Sequence, residues 1–94
     1  AIELKPGYHL NYSNRGYLYY NIGSYPEAYS DLKRSLELNK NQIDTYYTFG
    51  KVCEELDSTQ QAIDAYKNFL QAASNENKYY SEAQDRLKEL AIQN

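Results

Sequence analysis

The stretch GYLYYNIGSYPEAYSDLKRSL, residues 16–36, decides the fold. Within it Gly16, Tyr19, Gly23, Tyr25, Ala28, Leu32 and Leu36 follow at steps of three, four, two, three, four and four. Those steps suit two helices meeting at one tight turn, with a small residue at each close approach and a large one in each gap. The frame returns 34 residues later as Gly50, Cys53, Asp57, Thr59, Ala62, Tyr66 and Leu70. Self-similarity at that period predicts an all-α chain of stacked helix–turn–helix units.

Working outward, residues 8–22 read as a first helix with Tyr12, Gly16, Tyr19 and Ile22 facing inward. Gly16 costs up to about 1 kcal/mol relative to Ala in a helix interior, and a helix crossing closely over it would compensate. Gly23-Ser24-Tyr25-Pro26-Glu27 is the turn. Ser24 and Glu27 have the spacing of a capping box, and Pro26 lies near the first position of the next helix, where it costs little. That second helix, 26–38, turns Ala28, Leu32, Ser35 and Leu36 inward, and Asn39-Lys40-Asn41 ends it. The third, 43–56, has Tyr46, Phe49, Gly50, Cys53 and Leu56 inward. Ser58 and Gln61 repeat the capping-box spacing before a fourth helix, 59–73, whose inward face is Ala62, Ile63, Tyr66, Phe69 and Leu70.

After the polar break 74–77 a fifth helix spans about 78–92, with Tyr80, Ala83, Leu87, Leu90 and Ala91 as its stripe. Its other face carries Glu82, Asp85, Arg86, Lys88, Glu89 and Gln93, the polar exterior that a terminal repeat needs for solubility. An unbroken register puts Gln84 at the position of Gly16 and Gly50; a four-residue insertion aligns Leu87-Lys88 with Phe49-Gly50 instead and is preferred. The helix is read as a cap, with the first helix of a third repeat as the alternative. Residues 1–6, AIELKP, fit the end of a preceding second helix, because Ile2 and Leu4 fall in phase with Leu36 and Leu38. The whole is one domain, 1–94, divided as 1–6, 9–42, 43–76 and 78–92.

Composition narrows the chemistry. With 12 Tyr, 2 Phe and no Trp, the core is aromatic, and each tyrosine hydroxyl must reach a rim or a partner. The net charge of -3, with Lys and Arg scattered, argues against a nucleic-acid face or an anionic membrane surface, which need clustered cations. No apolar run approaches the roughly 20 residues that span a bilayer, and no signal-peptide pattern is present. Met is absent, so the chain is expected to be part of something longer, and no compartment is read from it. His9 and Cys53 are the single residues of their kinds, too few donors for a zinc site. Cys53 stands where the frame has a buried tyrosine, so it reads as a small buried hydrophobe rather than a nucleophile. There is no GxGxxG, P-loop or HExxH. No catalytic, metal-binding or cofactor-binding residue is assigned, and the chain is expected not to be an enzyme.

These residues resemble the tetratricopeptide repeat (TPR) family. Repeat one, 9–42, matches its pattern at Tyr12, Gly16, Tyr19, Gly23, Tyr25, Ala28 and Leu36; repeat two, 43–76, at Tyr46, Phe49, Gly50, Ala62, Tyr66 and Leu70. It departs at Arg15, where the family has Leu; at Asp57 and Thr59, which replace the Gly and Tyr of the turn; and at Lys40 and Ser74, which replace the closing Pro. The resemblance implies antiparallel helix pairs stacked as a right-handed superhelix, here of about five helices. It implies a concave groove lined by the first helix of each pair, and no chemistry.

In that frame the candidate groove is Leu10, Ser13, Asn14, Tyr17, Tyr20 and Asn21 from the first helix, with Asp44, Tyr47, Thr48, Lys51, Glu54 and Glu55 from the third. Tyr17 and Tyr20 are rigid anchors of the kind that become hot spots, or else pack against the next repeat. Chaperone-binding members hold an acidic C-terminal peptide in a two-carboxylate clamp. Of the matching positions here, Ser13, Asn14, Tyr17, Asp44 and Thr48, only Asn14 fits, so an apolar or basic ligand is expected. The function expected is a non-catalytic protein–protein interaction scaffold that binds a peptide or partner helix. Self-assembly into a homo-oligomer through exposed repeat ends is the alternative. RNA binding, known in related helical repeats, is disfavoured by the strict spacing and the negative charge.

Overall fold

The computed structural model describes residues 8–93. The expectation for residues 1–6 lies outside them. Among the described residues the chain forms five helices and no strand: α1 Tyr8–Asn21, α2 Tyr25–Leu38, α3 Ile43–Glu55, α4 Thr59–Ala72 and α5 Tyr80–Gln93. They fall into two compact units, α1 with α2 and α3 with α4 and α5, divided between Gln42 and Ile43.

In the first unit α1 and α2 pack as an antiparallel pair around Gly16. A Cβ there would lie 2.7 Å from Cγ and Cδ2 of Leu32, so only glycine admits the crossing. Ala28, Leu32, Ser35 and Leu36 of α2 are buried, as their spacing predicts. Asp31 is buried too, although the helical pattern does not announce it. The polar atoms of this core are partnered. Ser35 Oγ lies 2.9 Å from the His9 carbonyl oxygen and 3.0 Å from Gln42 Oε1, while Gln42 Nε2 donates to the carbonyls of Ser35 and Asn39, each at 2.8 Å.

The turn works through backbone rather than side chain. Gly23 takes φ 82°, its N–H donates to the Tyr20 carbonyl and the Ser24 N–H to that of Tyr19, so two carbonyls at the end of α1 are satisfied. The predicted capping box does not form: the Ser24 side chain makes no cap bond. Nor does that of Ser58. The second unit repeats the same turn with Asp57 at φ 58°, Asp57 N–H donating to Glu54 and Ser58 N–H to Cys53. Thus Asp57, one departure from the family pattern, adopts the backbone of the glycine it replaces.

In the second unit Gly50 lies under the Tyr66 ring, where a Cβ would come within 2.8 Å of Cε1. Val52, Cys53, Ala62, Ile63, Ala65, Tyr66 and Phe69 form the buried centre. Full burial of a ring such as Phe69 contributes roughly 1.5–3 kcal/mol. The α5 helix packs on α4 and buries Ala83 and Leu90, with Leu87 half-buried and Ala91 exposed.

Several predicted orientations differ. Ile22 is 73% exposed rather than inward, because α1 ends at Asn21 and Ile22 stands in the turn before Gly23. Ser13 is buried and its hydroxyl donates to the Leu10 carbonyl, so it does not face outward. Thr45 and Val52 join the interior of α3, while Tyr46, Phe49 and Leu56 are half-buried, as is Leu70 of α4. Gln84 and Lys88, the two alternative counterparts of the crossing glycines, are both exposed.

Candidate interaction surfaces

The α1 helix carries exposed apolar side chains outside its packed face. Behind the buried Ser13 and Gly16, its other face carries Leu10, Asn14, Tyr17, Leu18 and Asn21, an arc of roughly 100°. Leu10, Asn14, Leu18 and Asn21 are exposed and Tyr17 is half-buried. Leu18, 65% exposed, is absent from the sequence-based candidate set, although its i+4 spacing from Asn14 places it on the same stripe. Exposed Ile22 extends the stripe. Tyr20 lies off it, half-buried with its ring 6.0 Å from that of Tyr25.

The α3 candidates have a different setting. Asp44 Oδ1 accepts from Asn77 Nδ2 at 3.0 Å. Tyr47 is buried: its ring stacks on Tyr79 with centroids 4.2 Å apart and planes 10° from parallel, and its hydroxyl donates to Glu82 Oε2 at 2.6 Å. Lys51 Nζ donates to the same Glu82 oxygen at 3.0 Å. Glu54 accepts from the Tyr66 hydroxyl and from two guanidinium nitrogens of Arg86, whose Nη1 reaches Glu89 at 2.8 Å. Four of the six α3 candidates are therefore engaged by residues 77–86. Thr48 bonds weakly to the Asp44 carbonyl at 3.5 Å, and Glu55 is exposed. Glu82 and Arg86 thus face α3, not the solvent side of α5 where the sequence placed them.

This cluster sets its own electrostatics. Burial pushes the Glu54 carboxyl up, but bonds from Arg86 and Tyr66 outweigh it and hold the group below the usual carboxylate range. Bonds from Tyr47 and Lys51 lower Glu82 likewise. Tyr66 is raised by burial and by Glu54, so it stays protonated and donating. Burial also pushes the Cys53 thiol up to about 12, the behaviour of an inert interior cysteine.

A shallow depression of about 370 Å³ in the first unit is lined by Arg15, Tyr19, Pro26, Glu27, Ser30 and Asp31. At its centre Arg15 and Asp31 already satisfy each other. Among the described residues no three His, Cys, Asp or Glu converge as metal donors, and no helix is long and apolar enough to cross a membrane.

Paired helices crossing at glycines spaced 34 residues apart define a helical-repeat protein. The chain belongs to the tetratricopeptide repeat family; residues 8–69 match the family model described as Anaphase-promoting complex, cyclosome, subunit 3. The chain is 38% identical over 86 residues to Tetratricopeptide repeat protein 13 of Homo sapiens, covering 77% of this chain and 10% of that protein. It is 32% identical over 56 residues to TPR repeat-containing protein MJ1428 of Methanocaldococcus jannaschii, covering 60% of this chain and 10% of that protein. The chain thus spans about a tenth of the length of the curated relatives it matches. Proteins of this family act in general as protein-interaction scaffolds.

Proposed function

We propose that this chain is a non-catalytic interaction module whose α1 face holds an apolar peptide or the apolar side of a partner helix. The observation that carries the reading is the exposed set Leu10, Leu18 and Ile22, with half-buried Tyr17 beside it and the amides of Asn14 and Asn21 among them. Apolar groups on one helix face supply binding energy, and the amides interspersed among them can meet a peptide backbone. The stripe contains no charge, which favours an apolar ligand over the acidic peptide of a carboxylate clamp. The test is a set of immobilised amphipathic, acidic and basic peptides probed with the parent chain and with Tyr17→Ala/Leu18→Glu. Retention by amphipathic peptides, lost in the variant at unchanged melting temperature, supports the reading. Best retention by acidic peptides defeats it.

The same exposed side chains suit a second copy of the chain, which keeps self-assembly as the second reading. Light scattering across concentration separates the two: a mass that doubles with concentration and reverts in Leu18→Glu favours assembly.

A further inference from the structure

The α5 helix is attached to the rest of its unit in an uneven way. Its buried residues are Ala83 and Leu90, with Tyr80 and Leu87 half-buried, fewer than the Val52, Cys53, Ala62, Ile63, Tyr66 and Phe69 that the α3–α4 hairpin contributes. Against α3 the attachment is polar: Glu82 takes bonds from Tyr47 and Lys51, and Arg86 grips Glu54. Lys51, Glu82 and Arg86 each retain about a third to a half of their side-chain exposure, so water and salt reach these pairs.

Release would leave no buried charge stranded. Glu54 keeps the Tyr66 hydroxyl from within the hairpin. Tyr47 keeps the rings of Tyr66 and Phe69, at 6.3 and 5.8 Å. Lys51 and Glu82 are exposed enough to hydrate. Two states that each satisfy their polar groups are the requirement for a segment that opens on its own.

We propose that α5 is a releasable latch, and that the α3 face beneath it, Tyr47, Lys51 and Glu54, recognises a segment with an aromatic just ahead of a helix and a carboxylate and a guanidinium on that helix, at the spacing of Tyr79, Glu82 and Arg86. This goes beyond the scaffold reading, because it concerns a different face from that of α1. The in-cis occupant defines the chemistry of the partner: an aromatic ring stacks on Tyr47, a carboxylate three residues on meets Tyr47 and Lys51, and a guanidinium four further on meets Glu54.

The experiment uses the full chain and a synthetic peptide of residues 77–93 as probe. Arg86→Gln weakens the latch and leaves the α3 face whole; Glu54→Gln damages the face itself. The expected result is peptide binding to Arg86→Gln at least about tenfold tighter than to the parent, with no such gain in Glu54→Gln. Equal or absent binding in Arg86→Gln overturns the proposal. Amide hydrogen exchange on the parent chain needs neither a folded variant nor a ligand. The latch requires α5 to exchange faster than α3 and α4, and faster still in 1 M than in 0.05 M salt; equal protection in all three helices, unmoved by salt, overturns it. The peptides held on α1 bear on neither readout, so failure here leaves the scaffold reading standing.

Discussion

Arg15 clasps Asp31 with both edges of its guanidinium, Nε 2.7 Å from Oδ2 and Nη2 2.8 Å from Oδ1. In the 34-residue frame these positions correspond to Phe49 and Ala65 of the second unit. A bidentate ion pair therefore stands where the next repeat has two apolar residues, half-buried Phe49 and buried Ala65, and it explains how the chain carries Arg in place of the family's Leu. The pair is asymmetric: the Arg15 side chain is 59% exposed and that of Asp31 8%. Arg15→Phe should leave Asp31 buried without its partner, at about 1–3 kcal/mol. Asp31→Ala should cost less, because a freed Arg15 can hydrate. The double variant Arg15→Phe/Asp31→Ala, borrowing the second repeat's residues, should recover most of the loss. Urea denaturation of the four chains gives the cycle; equal costs for the two single variants would refute this account.

The glycines separate two kinds of constraint. Gly50→Ala places a methyl against the buried Tyr66 ring at an ordinary helical backbone, so overpacking should cost about 1–3 kcal/mol despite the better helix propensity of Ala. Gly23→Ala has open space around the new Cβ but keeps φ 82°, so its loss of about 1 kcal/mol is backbone strain alone. At the equivalent turn, Asp57→Gly relieves φ 58° and should gain about 0.5 kcal/mol after the greater unfolded-state entropy of glycine is subtracted. Thermal melts rank the three: Gly50→Ala lowest, then Gly23→Ala, with Asp57→Gly above the parent.

Stability should fall in acid through the α3–α5 cluster. Glu54 and Glu82 are both held below their ordinary range in the folded chain. A depressed carboxylate contributes stability that is complete above its unfolded value of about 4.3 and is lost as pH falls through the folded value. The denaturation midpoint should therefore hold from pH 7 to about 5 and drop below about 4. Glu54→Gln should start lower at pH 7, and its difference from the parent should shrink as the pH falls. A difference independent of pH would show that Glu54 acts by packing rather than by charge.

Cys53 should report on global opening. With no exposed surface and its thiol pushed up to about 12, it offers almost no thiolate at pH 8. Alkylation by iodoacetamide should run about a thousandfold or more slower than for a free cysteine, and reach the free rate in urea. Reaction at the free rate in the native chain would mean that the α3–α4 centre is open.

The helices, their turns and the close helix crossings at Gly16 and Gly50 were legible from spacing alone, but not that Leu32 and Tyr66 are the side chains that cross there. Helical rise and period are local properties, and a repeat of 34 residues states twice where a small residue sits at a close approach. Legibility stopped where rotational phase decides. Ser13 and Thr45 are buried through the rotational phase of their helices, which a stripe of apolar letters does not record, and Ile22 is exposed because it stands beyond the end of α1. Position 57 reads as a departure from the turn, yet its backbone takes the same left-handed conformation as Gly23, because Asp tolerates it at modest cost. Above all, the charged letters of α5 read as a solvent face. Only the tertiary structure sets Glu82 against Tyr47 and Lys51, and Arg86 against Glu54, because groups some 30 residues apart meet according to how helices cross. No period in the chain encodes that angle.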